Sequence, residues 1–286
     1  MPGPSKLLTT LDIAGLTCAV ECGAPAFGSL LGQAYNAFRV DGPAELALTV
    51  EVVEPPAAPR RLPGPYASVS LVDGVLTVDG ADFHGTFDTR ARRGHVRQPL
   101  AAAPFETFLT AVCAWALLER GGFLLHAAGL VDGGGAVAFF GPSGSGKSTV
   151  ARLVGRGVIS DEVVAVTPDA GGYRASGVPW RGRRRSAPLR ALYALRQAEG
   201  TVFVRLRSGP AAARLLGSVF LPSADRSSVD RFFDTAAGLL ARVPCYEMRF
   251  TADRSFWSRL PHRALEPSPR PAPSRRSRGE TADVAL

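Results

Sequence analysis

The feature that most restricts the fold of this chain is a glycine-rich run near its middle, Gly141-Pro142-Ser143-Gly144-Ser145-Gly146-Lys147-Ser148-Thr149. The run matches the pattern G-x-x-x-x-G-K-[ST] at every fixed position. The apolar residues 136–140 before it predict a strand, and residues 147–154 after it are compatible with a helix. A strand, a glycine-rich turn and a helix in this order direct backbone N–H groups towards an anion. The run therefore predicts a phosphate-binding loop.

The residue types in this loop suit a nucleotide with its metal ion. Glycines let the backbone approach phosphate oxygens closely, because they carry no side chain. We expect Lys147 to reach the β- and γ-phosphates and the Ser148 hydroxyl to bind Mg²⁺. Lysine is a marked choice at position 147, since the only other lysine in the chain is Lys6. The predicted ligands are ATP and Mg²⁺, and the predicted nucleotide-binding residues are Gly141, Ser143, Gly144, Ser145, Gly146, Lys147, Ser148 and Thr149. The alternative is a glycine-rich turn that binds nothing.

Further candidate residues lie on both sides of the loop. Asp161 and Glu162 stand between the apolar pair Val158-Ile159 and the predicted strand 163–167. Two carboxylates at a strand edge can bind Mg²⁺, Asp161 being the predicted ligand beside Ser148, and can accept a proton from an attacking hydroxyl. Which of the two is the base is left open, and a solvated turn is the alternative. The predicted catalytic residues are Lys147, Asp161, Glu162 and His126.

The remaining polar candidates are less specific. His126 lies between apolar residues on the strand before the loop strand, where it could be near the γ-phosphate or be a core histidine. The arginines of residues 181–185 could bind phosphate or an acidic substrate, or form a solvated loop. His84 and His95 have no partner in the sequence, and we expect them at the surface.

Patterning predicts strands and turns before residue 103 and alternating strands and helices after it. The run Val69–Val72, Asp73-Gly74, Val75–Val78 predicts a hairpin with an Asp-Gly turn. Proline clusters at 55–59 and 63–65 predict loops. Further strands are expected at 46–53, 123–131, 136–140, 201–206 and 245–250, and helices at 104–119, 147–154, 210–216 and 227–242. We expect a β-rich N-terminal region over 1–102, a P-loop kinase-like domain over 103–262 and a disordered tail over 263–286.

Composition excludes several classes of protein. Hydrophobic residues form 46% of the 286 residues, which is ample for a buried core. The apolar stretch 108–118 is closed by Glu119 and Arg120 and is shorter than the roughly 20 residues that a membrane span needs. The net charge of +8 is partly local to residues 181–185, and no aromatic residues interleave with a long basic face. Neither a membrane nor nucleic acid is an expected partner.

The chain has four cysteines, Cys18, Cys22, Cys113 and Cys245. The expected state is a buried free thiol in a reducing compartment, which predicts a cytoplasmic protein. Use of the C-x-x-x-C pair in a metal site or a disulfide is the alternative, although no second ligand pair lies nearby in the sequence.

The block from His126 to Thr167 resembles the catalytic domain of the HPr kinase/phosphorylase family. It contains His-Ala-Ala, a strand, the glycine-rich loop and Ser-Asp-Glu in the same order. Weaker similarity at 177–182, 187–190, 242–244 and 256–257 is to the HPr-kinase-related proteins found in clusters that make modified peptides. The resemblance implies an α/β P-loop fold of the type shared by HPr kinase and phosphoenolpyruvate carboxykinase, with a small β-rich N-terminal region. It also implies that His126 lies near the reacting phosphate and that Asp161 and Glu162 correspond to the family's two adjacent acids.

The chain departs from that family in ways that change the expected substrate. The second acid is Glu rather than Asp, the link between Lys147 and Asp161 is shorter than usual, and the segment used for phosphorylase activity is not found. HPr is therefore not the expected substrate. By resemblance, the chain is a kinase that transfers the γ-phosphoryl group of ATP to a serine hydroxyl of a peptide or protein. The alternative is a nucleotide-dependent module that binds a peptide or protein partner and transfers no phosphate. Relatives form hexamers, and assembly into a homo-oligomer is left open.

Overall fold

The computed structural model describes residues 7–53 and 67–262. The predicted loops at 55–59 and 63–65 and the predicted tail at 263–286 lie outside the described residues.

The first part of the chain builds a seven-stranded mixed sheet. Its strands are β1 (Leu7–Ile13), β2 (Leu16–Cys22), β3 (Leu46–Val52), β4 (Ser68–Val72), β5 (Val75–Asp79), β6 (His84–Asp88) and β7 (Arg93–Gln98), in the spatial order β1-β2-β3-β7-β6-β5-β4. Helix α1 (Pro25–Tyr35) follows β2, and helix α2 (Ala102–Glu119) follows β7. In β3, buried Leu46, Leu48 and Val50 alternate with exposed residues, as expected for a strand with one face on a core.

The predicted hairpin around Asp73-Gly74 is confirmed. Strands β4 and β5 pair antiparallel, and Val72 faces Val75 across the turn. Asp73 has a φ of 52° and Gly74 a φ of 83°. Positive φ at both central residues is the geometry of a type I′ turn, whose twist matches that of the strands.

The second part of the chain builds a nine-stranded sheet. Its strands are β8 (Phe123–Asp132), β9 (Gly135–Phe140), β10 (Val158–Ser160), β11 (Val163–Asp169), β12 (Gly172–Gly177), β13 (Ser186–Gln197), β14 (Val202–Arg205), β15 (Val219–Phe220) and β16 (Cys245–Phe250). Its helices are α3 (Lys147–Val154), α4 (Ser208–Leu216) and α5 (Arg226–Leu240).

Five of these strands form a closed ring of pairings. Strand β8 pairs with β9, β9 with β13, β13 with β12, β12 with β11, and β11 again with β8. Strand β8 closes the ring because its first half pairs with β11, where Val163 faces His126, and its second half with β9, where Phe140 faces Ala127. Strand β9, which follows β8 directly, and strand β11, which comes after α3 and β10, are thereby fixed on opposite edges of β8.

The predicted α/β fold class is wrong. The described residues are 41% strand and 30% helix, with two large mixed sheets, and they show no evident α/β arrangement of a P-loop kinase. Tight turns join β8 to β9 and β11 to β12, and strands joined in this way pair antiparallel. Within the described part of the second sheet, parallel pairing is confined to β13 with β9 and with β16. The sequence pattern predicted the local strand, loop and helix correctly, but it did not predict how the strands of the surrounding sheet pair.

Helix α2 packs between the two sheets. On one side it contacts β2, β5 and β7 of the first sheet, and on the other it contacts β8 of the second sheet and helix α5. Twelve of its eighteen residues are buried, including Phe105 against Phe27 and Trp115 against Phe87. Among the described helices, α2 alone is long and apolar enough to cross a membrane. Because it lies inside the protein, the compact fold is consistent with a soluble protein. The predicted boundary falls at the start of this helix, and the three-part division remains a prediction.

Candidate phosphate-binding site

The glycine-rich loop connects the end of β9 to the start of α3. Gly141, Gly144 and Gly146 all have positive φ, at 152°, 76° and 106°. At Gly146 the requirement is also steric, because a Cβ there would lie 2.8 Å from the Phe250 ring. The sequence folds in this way because only glycine combines that backbone conformation with so close a neighbour.

The first turn of α3 presents backbone N–H groups without a side-chain cap. Gly146 is the N-cap, and no side chain accepts a hydrogen bond there. The buried Ser145 hydroxyl has no hydrogen-bond partner among the described residues. Unpaired donors at a helix N-terminus, beside a buried hydroxyl without a partner, suit an anion. Of the other predicted loop residues, Ser143 and Ser148 are exposed and Thr149 is half-buried.

Lys147 is held inside the loop. Its side chain is buried, and its Nζ donates hydrogen bonds to the carbonyl oxygens of Gly141, at 2.8 Å, and Pro142, at 3.0 Å. Burial lowers the pKa of Lys147, and the nearby carboxylate of Glu162 opposes that change. The loop thus holds a partly desolvated ammonium group against two of its own backbone carbonyl oxygens.

Asp161 and Glu162 lie in the turn between β10 and β11, and both are exposed. The turn is organised by the buried Ser160, whose Oγ accepts hydrogen bonds from the backbone N–H groups of Glu162, at 3.2 Å, and Val163, at 3.0 Å. The same hydroxyl donates to the Arg181 carbonyl oxygen at 2.5 Å. Ser160 was not among the predicted site residues, although a serine directly before two acids is a signal for a side-chain-stabilised turn.

The Glu162 carboxylate faces the arginine-rich segment. Its Oε2 lies 3.5 Å from Arg181 Nε, and both side chains are about half exposed. The Arg184 side chain instead faces the N-terminal sheet, where its Nη2 lies 3.7 Å from Oδ2 of Asp12 on β1. The predicted cluster at 181–185 is therefore divided, with Arg181 at the candidate site and Arg184 at the N-terminal sheet.

His126 completes a group of three interacting titratable side chains. It lies on β8 opposite Val163, and the Ala127 N–H next to it donates to the Glu162 carbonyl oxygen at 3.0 Å. Burial lowers the pKa of His126, the Lys147 charge lowers it further, and the Glu162 charge raises it. The structure thus brings His126, Lys147 and Glu162 within electrostatic range of one another. Within the described part of the chain, the Asp161 side chain makes no hydrogen bond or ion pair.

The loop is also held from β13. The Gln197 side chain donates a hydrogen bond from Nε2 to the Gly144 carbonyl oxygen at 2.7 Å. Gln197 was missed because β13 was not predicted, although the apolar run 191–195 was a signal for a buried strand.

A cleft of about 170 Å³ opens beside Glu162 and Arg181. Its other walls are formed by Trp180, by Phe220 and by the first turns of α2. A larger cavity of about 740 Å³ lies at the β8–β9 turn and includes Gly133, Asp169 and Arg190. We call it the turn-end cavity. It contains none of the predicted catalytic residues.

Metal binding by protein side chains alone is not indicated. In residues 7–53 and 67–262, no group of three or more His, Cys, Asp or Glu side chains could hold a metal ion. All four cysteines are buried free thiols, as predicted, and burial raises the pKa of Cys18 to about 12. The loop could still share a cation with phosphate oxygens, because Mg²⁺ is commonly held by one or two protein ligands together with phosphates. His84 and His95, expected at the surface, are exposed beside Asp79 and Glu51.

A family model matches residues 105–266, which is more than half of the 286 residues. That model describes SynChlorMet cassette protein ScmC. The chain belongs to the ScmC family. The match starts within α2 and takes in the glycine-rich loop, the acidic turn and β13. The family's description names a cassette protein and no activity. A search of the curated proteins found no match to the chain.

Proposed function

We propose that this ScmC-family protein binds ATP with Mg²⁺ at residues 141–149 and transfers the γ-phosphoryl group to a serine hydroxyl of a peptide or protein. The observation that carries the proposal is the buried Lys147 ammonium group, held in the loop at the uncapped N-terminus of α3. Its neighbours Glu162 and His126 supply groups that can handle a proton. The relation to HPr-kinase-like proteins remains a prediction.

The residues of the loop fit a polyphosphate. The backbone N–H groups of the first turn of α3 and the unpartnered Ser145 hydroxyl can donate to its oxygens. Lys147 would exchange its two carbonyl partners for the more strongly charged β- and γ-phosphates. The exposed hydroxyl of Ser148 and the exposed carboxylate of Asp161 would hold Mg²⁺, which neutralises phosphate charge when bound.

Glu162 is the proposed base. It lines the cleft where an acceptor could enter, whereas Asp161 does not. In the transfer step, the serine oxygen forms a bond to the γ-phosphorus while its proton passes to Glu162. The bond from the γ-phosphorus to the β,γ-bridging oxygen breaks, and ADP leaves. Lys147 stabilises the negative charge that develops on that oxygen.

A second function is favoured by one observation. The Glu162 Oε2 lies 3.5 Å from Arg181 Nε, so the arginine stands beside the oxygen that would have to accept the proton. If that pair persists with ligands bound, the protein would be a nucleotide-dependent module that holds a peptide or protein partner without transferring phosphate.

Incubation of the full chain with γ-labelled ATP, Mg²⁺ and serine-containing peptides tests the proposal. Label on a peptide serine, located by mass spectrometry, is the expected result. ATP binding without any transfer would favour the binding module, and absence of ATP binding would refute both. We also propose a cytoplasmic location, because four free buried thiols and ATP use suit a reducing, ATP-rich compartment.

A further inference from the structure

A second, apolar pocket of about 610 Å³ lies between α2 and the edge of the N-terminal sheet. Its walls include Val69 on β4, Phe83 next to β6, Ala111 and Ala114 on α2, and Leu221 after β15. Strand β4 ends the sheet in the described part of the chain, and Val69 is partly exposed there.

The chemistry of this pocket favours an apolar occupant. None of its described lining residues is charged. Its two hydroxyl side chains already donate to their own helix, Thr107 to the Ala103 carbonyl oxygen at 2.9 Å and Thr110 to the Glu106 carbonyl oxygen at 2.7 Å. A ligand in the pocket would therefore gain mainly from burial of apolar surface.

The apolar pocket adjoins the cleft at the candidate active site. Thr107, Thr110 and Phe220 line both of them. The groove formed by the two has Glu162 and Arg181 at one end and an apolar chamber at the other. Because the two cavities share these three lining residues, they are contiguous, and one extended peptide can occupy both parts.

We propose that this groove binds the phosphate acceptor as an extended peptide, with the serine at the Glu162 end and a large apolar side chain in the pocket. The serine and the apolar residue are near one another in the peptide, because the two cavities share Thr107, Thr110 and Phe220. This inference rests on the proposed kinase function and adds where the peptide binds and which neighbouring side chain it needs.

The test combines a peptide library with two matched variants of the full chain. The library has a central serine and randomised neighbours, and phosphorylated members are sequenced. Ala81→Trp places a large ring at the pocket rim from an exposed position in the β5–β6 turn, so the core is undisturbed. Ala91→Trp is the control, because Ala91 is exposed in the next turn of the same sheet and lines none of the described cavities.

The expected result is selection of Leu, Ile, Phe, Met or Val at one fixed position near the serine. Ala81→Trp should raise the KM for a selected peptide by about 10- to 100-fold, the value of burying one apolar side chain, and Ala91→Trp should not. Binding of ATP, measured by calorimetry, should be the same in all three proteins.

Phosphorylation without apolar selection, or equal KM values in both variants, would overturn the groove assignment and leave the kinase proposal standing. ATP binding without phosphorylation of any library peptide would also overturn it. Failure of the unaltered chain to bind ATP would instead remove the proposed function on which the groove assignment rests.

Discussion

One glycine-rich segment lies before strand β9 and another lies after it, and the two segments have different structures. Before β9, Gly133 and Gly134 both have positive φ and form a two-residue turn that returns the chain to β8. After β9, Gly141 to Gly146 also contains positive-φ glycines, but the chain enters a helix and encloses a lysine. Glycine content therefore predicts sharp backbone bends, and the residues that follow decide whether the bend can bind an anion.

The largest effect on activity is expected from changes to the acidic turn between β10 and β11. Replacing both Asp161 and Glu162 with their amides should lower kcat by about 10²- to 10⁴-fold, because the proton acceptor is lost. ATP affinity should fall far less, as measured by calorimetry. The control is Asp169→Asn at the other end of β11, which removes the carboxylate that forms an ion pair with Arg174. This variant should leave kcat unchanged. Retained activity in the double variant would remove the acids from the mechanism.

A smaller effect is expected from the two cations on either side of β9. Lys147→Ala should weaken ATP binding by about 10- to 100-fold, because charge-assisted hydrogen bonds to phosphate are lost. Arg190→Ala removes an exposed cation of the turn-end cavity, and its ATP affinity should equal that of the unaltered chain. Equal losses in the two variants, measured by titration with a fluorescent ATP analogue, would contradict the difference between the two segments.

Two matched glycine substitutions distinguish the loop from the β8–β9 turn. Gly134 and Gly144 have φ values of 86° and 76°, and a Cβ at either position would meet nothing within 4 Å. Gly134→Ala and Gly144→Ala should each lower the free energy of unfolding by about 1–2 kcal/mol, the cost of a left-handed backbone at alanine. Only Gly144→Ala should also weaken ATP binding. Thermal unfolding gives the first quantity and calorimetry the second, and a binding defect in Gly134→Ala would show that the effect is one of general stability.

The smallest effect is a change in the pKa of His126, measured by NMR. That pKa should lie below the ordinary value of 6.5, chiefly because of burial. Lys147→Ala should raise it by removing a like charge, and Glu162→Gln should lower it by removing an opposite one. Since the unfolded chain binds this proton more tightly than the folded chain, the contribution of His126 to stability is lost as the pH falls from 6.5 through the folded pKa. Shifts of the opposite sign would show that the three groups do not interact as described.

Much of the local structure could be predicted from the sequence. Periodicity and turn residues gave α3, the β8–β9 turn, the β4–β5 hairpin and β16 close to their observed bounds. These features depend on neighbouring residues, whose apolar spacing and glycines are visible in the sequence.

The arrangement of the strands could not be predicted. Pairing of β9 with β13 joins residues about fifty positions apart, and nothing in the local pattern of either strand names its partner. The α/β expectation came from a resemblance, and it was wrong because tight turns pair β8 with β9 and β11 with β12 antiparallel. Within the candidate site, the sequence predicted Glu162, His126 and Lys147, which remain predictions, but not Ser160 and Gln197. The bond from Ser160 to the Arg181 carbonyl oxygen spans 21 positions and that from Gln197 to the Gly144 carbonyl oxygen spans 53, so neither contact is visible in the local sequence.

The position of α2 has a practical consequence for anyone who shortens this chain. A recombinant fragment that begins near residue 105, where the family match begins, would keep most of the helix but lose the sheet that covers one of its sides. Side chains such as Phe105, Phe108 and Trp115 would then face solvent, and the fragment would be expected to aggregate. Biochemical work on the loop is best started with the whole polypeptide.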